Sequence, residues 1–366
     1  MPAHWKLLTE EEASEIWNTS AARFDECSPF QTFEWGQYQK ALGWQPLHLA
    51  AVSDDGEMKA MCLGLLRRFP LRTGFVWCVG GPVGDLATWE ELPGAIRATQ
   101  KLRRLYIRVR CDRERRASDA LFLRRSDWMP ASITMGSSLT MELDLTAQPD
   151  CLLGNCSGKW RRNLRLAQKE DLVIRQVAKP DIEKVRAVFA EMEDNKTLPE
   201  LFSREKLDGL FRHAGSNFVF LQCEDRTGNL LALRGTLIIG NRACDYLAAT
   251  SSEGRRLRAS YPLLWEMLRR CRESGIVSYD LGGIDPWENP GVYDFKRQTG
   301  AREVEFLGEW DWATSPLTRW LGNRAIGTRQ KLKKPKLSLR ARLGIVWPPA
   351  AMKWLSDTAV CCPVIG

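Results

Sequence analysis

The chain has 366 residues, 44% of them hydrophobic and 27% charged, with a net charge of +8. That length and mix exclude a disordered chain and suit a soluble globular protein of two domains. No run of about 18 apolar residues occurs, so no helix is expected to span a bilayer. The opening MPAHWKLLTEEEASEIW has acids from Glu10 on and no apolar signal core, so a cytoplasmic location is expected. Eleven cysteines and three histidines are present, but no C-x-x-C pair occurs. Buried free thiols are expected rather than a metal site.

In chain order, LHLAAVS (47–53) and MKAMCLGLLRRF (58–69) read as strands joined across Asp54-Asp55-Gly56-Glu57, a hairpin signal. GFVWCVGGPV is a third strand turning on Gly80-Gly81-Pro82. Trp89 to Lys101 has helical spacing, RLYIRV (104–109) is strand-like, and SSLTMELDL (137–145) alternates as a half-buried strand. Then GKWRRNLRLA (158–167) places Arg161, Arg162 and Arg165 on adjacent turns of one helix. That is either a phosphate-facing surface or a solvated face.

The second half repeats the plan. Helices at about 182–193 and 204–213 precede NFVFLQCED (217–225), which pairs across Arg226-Thr227-Gly228-Asn229 with LLALRGTLIIG (230–240). RACDYLAAT (242–250), a helix from about 257 to 273, and VSYDLGG follow. A hairpin, a third strand, a helix and a fourth strand is the core order of GNAT acyltransferases. The expectation is therefore α/β (α+β), with two tandem GNAT-like domains on mixed central sheets. They would occupy 1–167 and 168–318, with a basic tail at 319–366.

The densest information lies in YDLGGIDPWENPGVYDFKRQTGAREVEFLG (279–308). A strand ends in a Leu281-Gly282-Gly283 corner, where glycine permits turns and close approaches. Pro290-Gly291 then punctuates a loop, Phe295-Lys296 opens a short helix, and Gly300 is placed to end it. This segment resembles the C-terminal signature of the FemABX aminoacyltransferases. Those enzymes move an amino acid from charged tRNA to an amine, typically of a peptidoglycan precursor. GKWRRNLRLA resembles the R-x-N-x-R-x-A stretch at that family's inter-domain crossing, and Gln31-Thr32-Phe33-Glu34-Trp35 resembles its Gln-x-x-x-Trp helix.

The resemblance implies roles. Lys296 would stabilise the transferring ester, whose aminolysis needs orientation and oxyanion stabilisation more than a strong base. Phe295 would line the acyl pocket or stack on a terminal base. Asp280 would serve as general base or hold the incoming ammonium, unless it caps a turn. Asp285 reads as a turn cap. Tyr246 would contact the acceptor or pack in the core, and Arg204 would hold acceptor phosphate. Arg161, Arg162 and Arg165 would meet tRNA. The family's phosphate-binding lysine, four residues after the tryptophan, is replaced by Gln39, and Lys40 points about 100° away on a helix. Asp208 stands where the family has a tyrosine. The acceptor is thus expected to be an amine-bearing cell-envelope precursor or small molecule, and no cofactor is implied beyond aminoacyl-tRNA as co-substrate.

Two alternatives stay open. Arg255, Arg256 and Arg258 lie where a coenzyme A enzyme binds pyrophosphate at a helix N-terminus, although EGRRLRAS fits that pattern poorly. An acyl-CoA-dependent N-acyltransferase is therefore the nearest rival, followed by a non-catalytic membrane- or RNA-binding protein. From Gly322 to Ala350 there are eight bases and no acid. That segment is a solvated tail, a tRNA contact, or a peripheral contact with the anionic cytoplasmic leaflet, which Trp347 and Trp354 favour.

Overall fold

The computed structural model describes residues 3–333. The rest of the basic tail, with Lys334, Lys336, Arg340, Arg342, Trp347 and Trp354, lies outside the described residues. The first nine strands are β1 (Ala3–Leu7), β2 (Gln45–Ser53), β3 (Met58–Phe69), β4 (Thr73–Val79), β5 (Val83–Gly84), β6 (Arg104–Glu114), β7 (Met129–Pro130), β8 (Leu139–Asp144) and β9 (Val173–Gln176). They are followed by β10 (Phe218–Glu224), β11 (Leu230–Ile239), β12 (Arg242–Thr250), β13 (Ser278–Gly283) and β14 (Arg302–Ala313).

The repeat read from the sequence is present. β2, β3 and β4 pair antiparallel, and β4 then pairs parallel with β6. β10, β11 and β12 pair antiparallel, and β12 then pairs parallel with β13. Each parallel step needs a crossover, supplied by the helices Leu92–Gln100 and Ser260–Glu273. Both hairpins turn on a glycine in the left-handed region, Gly56 at φ +86° and Gly228 at φ +84°. In the second, the Asp225 carboxylate accepts from the amides of Thr227 and Asn229.

The two halves are not separate sheets. One continuous sheet runs β1-β2-β3-β4-β6-β14-β8-β13-β12-β11-β10-β9. β14 joins them: Arg302–Glu305 pair with β8, and Phe306–Ala313 pair with β6. The register changes between Phe306 and Gly308, where Gly308 has φ +79°. Although β8 precedes residue 167, it lies in the second half of the sheet. The helix Gly158–Ala167 likewise packs Trp160 and Leu164 into the core around Met267 and Tyr279. Strand exchange of this kind leaves no local trace in sequence, because hydrophobic alternation fixes a strand's faces but not its neighbours.

Arg108 on β6 is fully buried and ties β14 in place. It donates to Glu309 Oε2 at 2.8 Å, Tyr106 Oη at 2.6 Å, Ile133 O at 2.6 Å and Asn323 Oδ1 at 2.8 Å. A buried guanidinium is tolerable only with such a full set of acceptors. A second core crosses the halves, packing Trp17, Phe30, Trp35 and Tyr38 with Phe189, Phe202 and Tyr246. No described helix is long and apolar enough to cross a membrane.

Candidate active site

β12 and β13 run in parallel over only three residues, Arg242–Cys244 against Ser278–Asp280. Beyond them Gly282, at φ +78°, turns β13 away. The Asp285 carboxylate accepts from the amides of Trp287 and Glu288, so it caps the turn as expected. The helix Pro290–Arg297 follows, opened by its proline and closed before Gly300 at φ +81°. A Cβ at Gly300 would meet the Asn155 carbonyl oxygen at 2.6 Å, so only glycine allows this approach.

Phe295-Lys296 does not open that helix, which starts at Pro290; Lys296 lies in its last turn, is buried, and aims its ammonium into the gap between the strands. Nζ donates to Gly283 O at 2.8 Å and Gly282 O at 3.2 Å. It does not snorkel to solvent; it sits directly behind the glycine corner. Burial pulls its pKa down to about 8, opposed by the charge of Asp245. Phe295 is half-buried and meets Tyr261 edge-on at 5.1 Å.

Asp280 is half-buried. Its carboxylate accepts from Thr140 Oγ1, and from the Gly282 amide at 2.8 Å. Burial pushes its pKa up to about 6, against the pull of those two donors. The residue sits where two clefts meet. One is lined by Arg110, Ser137, Thr140, Asp245, Tyr246 and Gly283. The other is lined by Glu26, Asp112, Glu142, Arg242 and Ser278, and Asp280, Cys244 and Phe306 border both. Lys296 lines neither, and it touches the wall of the first through the carbonyls of Gly282 and Gly283.

Under the corner lies a buried ion pair between Arg234 and Asp245. Tyr279 Oη donates to Asp245 Oδ1 at 3.0 Å and lies 2.7 Å from Thr236 Oγ1. None of these was singled out in the sequence, nor were Arg110, Asp112 and Thr140. A signal existed: Arg234 interrupts the apolar run LLALRGTLIIG, and a charge in a core strand must find a partner.

The other expected site residues scatter. Tyr246 borders the first cleft, yet packs edge-on against Trp35 at 5.3 Å, Phe202 at 5.7 Å and Phe30 at 5.9 Å. Arg204 is exposed at a helix start and pairs with Glu183 at 2.7 Å, away from both clefts. Gln39 is fully buried and its side-chain amide has no protein partner, while Lys40 pairs on the surface with Glu10 at 2.7 Å. Neither lines a cleft: the helix Phe33–Ala41 turns Gln39 into the core between the halves and leaves Lys40 on the surface.

Arg255, Arg256 and Arg258 do not frame an open anion cradle. Arg255 binds Ser252 Oγ at 2.8 Å, Arg256 pairs with Glu253, and Arg258 reaches the Arg256 carbonyl at 3.4 Å. The Ser252 amide already donates to Glu191 at 2.6 Å, and the Gly254 amide to Ser251 Oγ at 3.0 Å. A carboxylate therefore stands where an anionic pyrophosphate would need those donors. Arg162 and Arg165 are exposed on the helix Gly158–Ala167, and Arg161 binds the Gly154 carbonyl at 2.8 Å. From the same helix Asn163 donates to Tyr261 Oη at 2.8 Å, and Tyr261 contacts Phe295. The arginine-bearing helix thus adjoins the Phe-Lys element.

Residues 218–325 match the model of the FemAB family. That segment, which carries Lys296, is therefore similar to the FemAB family. The lipid II:glycine glycyltransferase of Staphylococcus saprophyticus subsp. saprophyticus is 25% identical over 193 residues, covering 48% of this chain and 45% of that protein. The chain spans under half the length of that relative. The crystal structure of FemX superposes with a TM-score of 0.75 at 16% identity, over 87% of this chain and 100% of FemX. The tandem GNAT protein from the clavulanic acid biosynthesis pathway gives 0.52 at 12% identity, over 86% and 99%. These likenesses establish the tandem GNAT fold.

Proposed function

We propose that this protein is a FemAB-type enzyme that transfers an amino acid from aminoacyl-tRNA to an amine of a peptidoglycan or related cell-envelope precursor. The acceptor nitrogen attacks the ester carbonyl, the nitrogen–carbon bond forms, and the bond to the ribose oxygen breaks. Asp280 takes the proton leaving the nitrogen, and that proton ends on the ribose hydroxyl. Lys296 orders the Gly282-Gly283 corner and sets a buried positive charge behind it, favouring the oxyanion in a site of low polarity. The observation that carries the reading is this buried lysine in the parting between β12 and β13, on the Phe-Lys element of the family signature.

Two further features support tRNA over coenzyme A as donor. The arginine-bearing helix adjoins Phe295, and the loop at Arg255 has its amides occupied. The test supplies purified protein with a full set of radiolabelled aminoacyl-tRNAs and a cell extract, beside a lane with labelled acetyl-CoA. Loss of one tRNA ester with label appearing in an amide is the expected result. Consumption of acetyl-CoA alone would transfer the protein to the ordinary acyltransferases.

A further inference from the structure

The far end of β6 from the candidate site carries a surface of different character. The turn between β3 and β4 places Leu71 and Arg72 in the left-handed region, at φ +58° and +53°. Such backbone is costly for residues with a Cβ, and it is held by the amides of Arg103 and Arg104, which donate to the Arg72 carbonyl at 2.9 and 3.3 Å. Its product is a leucine 76% exposed to solvent. Beside it, the helix Pro316–Lys333 exposes Leu317, Trp320 and Leu321 at helical spacing, at 63, 55 and 53%. An apolar groove of about 250 Å³ joins the two elements, lined by Phe69, Phe75, Tyr106, Leu321 and Ala325.

The charge around the groove has one sign. None of the residues that line the groove is acidic, and the helix beside it contains no aspartate or glutamate. Arg72, Arg103 and Arg104 are exposed and make no ion pair among the described residues, and Arg324 lies over the Trp320 ring at 5.2 Å. The sequence continues without an acid to Ala350. Scattered exposed apolar residues need no explanation, but a cluster rimmed by unpaired bases marks an interaction surface.

We propose that this face docks on an anionic lipid bilayer, with Leu71, Trp320 and Leu321 entering the interface and the arginines meeting phosphate headgroups. Each base near an anionic leaflet strengthens binding by about fivefold, and exposed leucine and tryptophan gain by leaving water. A nucleic-acid arm would use the same arginines but leave the apolar cluster in water. Tyr106, Arg108, Arg110 and Asp112 lie on one face of β6, leading from the groove to the candidate site. The strand rise puts that site about 20 Å from the docked surface, a position suited to a headgroup-linked acceptor. The docking inference itself does not depend on the reaction.

The test is co-sedimentation of the full-length protein with vesicles of phosphatidylcholine alone, and with vesicles containing phosphatidylglycerol. Binding to the anionic vesicles only, weakening with salt, is expected. The variant Leu71→Ser/Trp320→Ser/Leu321→Ser should lose at least about tenfold in partitioning, with its melting temperature unchanged. Arg72→Glu/Arg104→Glu should lose a similar factor. No binding to anionic vesicles, or full binding by the serine variant, overturns the proposal. So does tRNA binding lost in the glutamate variant and kept in the serine variant, if vesicles are not bound.

Discussion

The Lys296 ammonium lies 2.8 Å from the carbonyl oxygen of Gly283, in the gap where β12 and β13 part. A buried lysine beside a glycine corner that borders a cleft combines a structural bond with an electrostatic one. Lys296→Ala should lower transfer by about 10²- to 10³-fold, the scale of losing one preorganised charge or donor. Circular dichroism should show an intact fold. Turnover near that of the parent protein would remove Lys296 from the site.

The paired shifts predict a pH profile. Asp280, pushed up to about 6, is ionised above that value and can take a proton there. Lys296, held down to about 8, loses its charge above that value. Transfer should rise through pH 6 and fall through pH 8. Stability moves the other way on the alkaline side. The folded pKa of Lys296 is below the ordinary lysine value of 10.5, so the unfolded chain binds more protons between 8 and 10.5 and this group's contribution improves as pH rises. Activity falling above pH 8 while the urea midpoint rises is the expected signature. In Lys296→Ala any residual activity should lack the alkaline limb.

How far the sequence carried is clear from particular elements. The hairpins at Asp54–Glu57 and Arg226–Asn229 announce themselves through local turn chemistry, and both are present. Lys296 was visible because its whole segment is contiguous. Asp112, Thr140 and Asp245 were not, because β6, β8 and β12 meet at the site only after β14 has joined the halves. Gln39 shows the converse: its helix was recognised, but which helical face points inward depends on packing against the other half. Motifs predict local geometry, whereas exchanged strands decide which motifs meet.

Exchange also makes Arg108 a structural keystone. Its guanidinium bonds Glu309, whose other oxygen accepts from the amides of Met135 and Gly136 at 2.6 and 2.9 Å, next to Ser137 of the cleft. Arg108→Met would leave the buried Glu309 carboxylate without its cation and should destabilise by about 3–5 kcal/mol. Adding Glu309→Gln should recover part of that loss, since the two residues are coupled. Equilibrium urea unfolding of the two single variants and the double variant measures the coupling; strict additivity would refute it.

Arg162 and Arg165 provide the most direct test of the donor. Both are exposed on the helix whose Asn163 holds Tyr261 against Phe295, so a tRNA acceptor end entering at Phe295 would pass their side chains. Neither contributes to the core, and Arg162→Glu/Arg165→Glu should leave the melting temperature within a degree or two of the parent, about ±0.5 kcal/mol for surface changes. If they contact phosphates, KM for aminoacyl-tRNA should rise about tenfold or more while kcat changes little. The slope of log affinity against log salt should flatten by about one unit for each lost contact. An acyl-CoA enzyme using the loop at Arg255 would be indifferent to these changes. Unaltered KM and salt slope, in a variant that still folds and turns over, would therefore remove this helix from the tRNA path and leave the donor to be sought on another face.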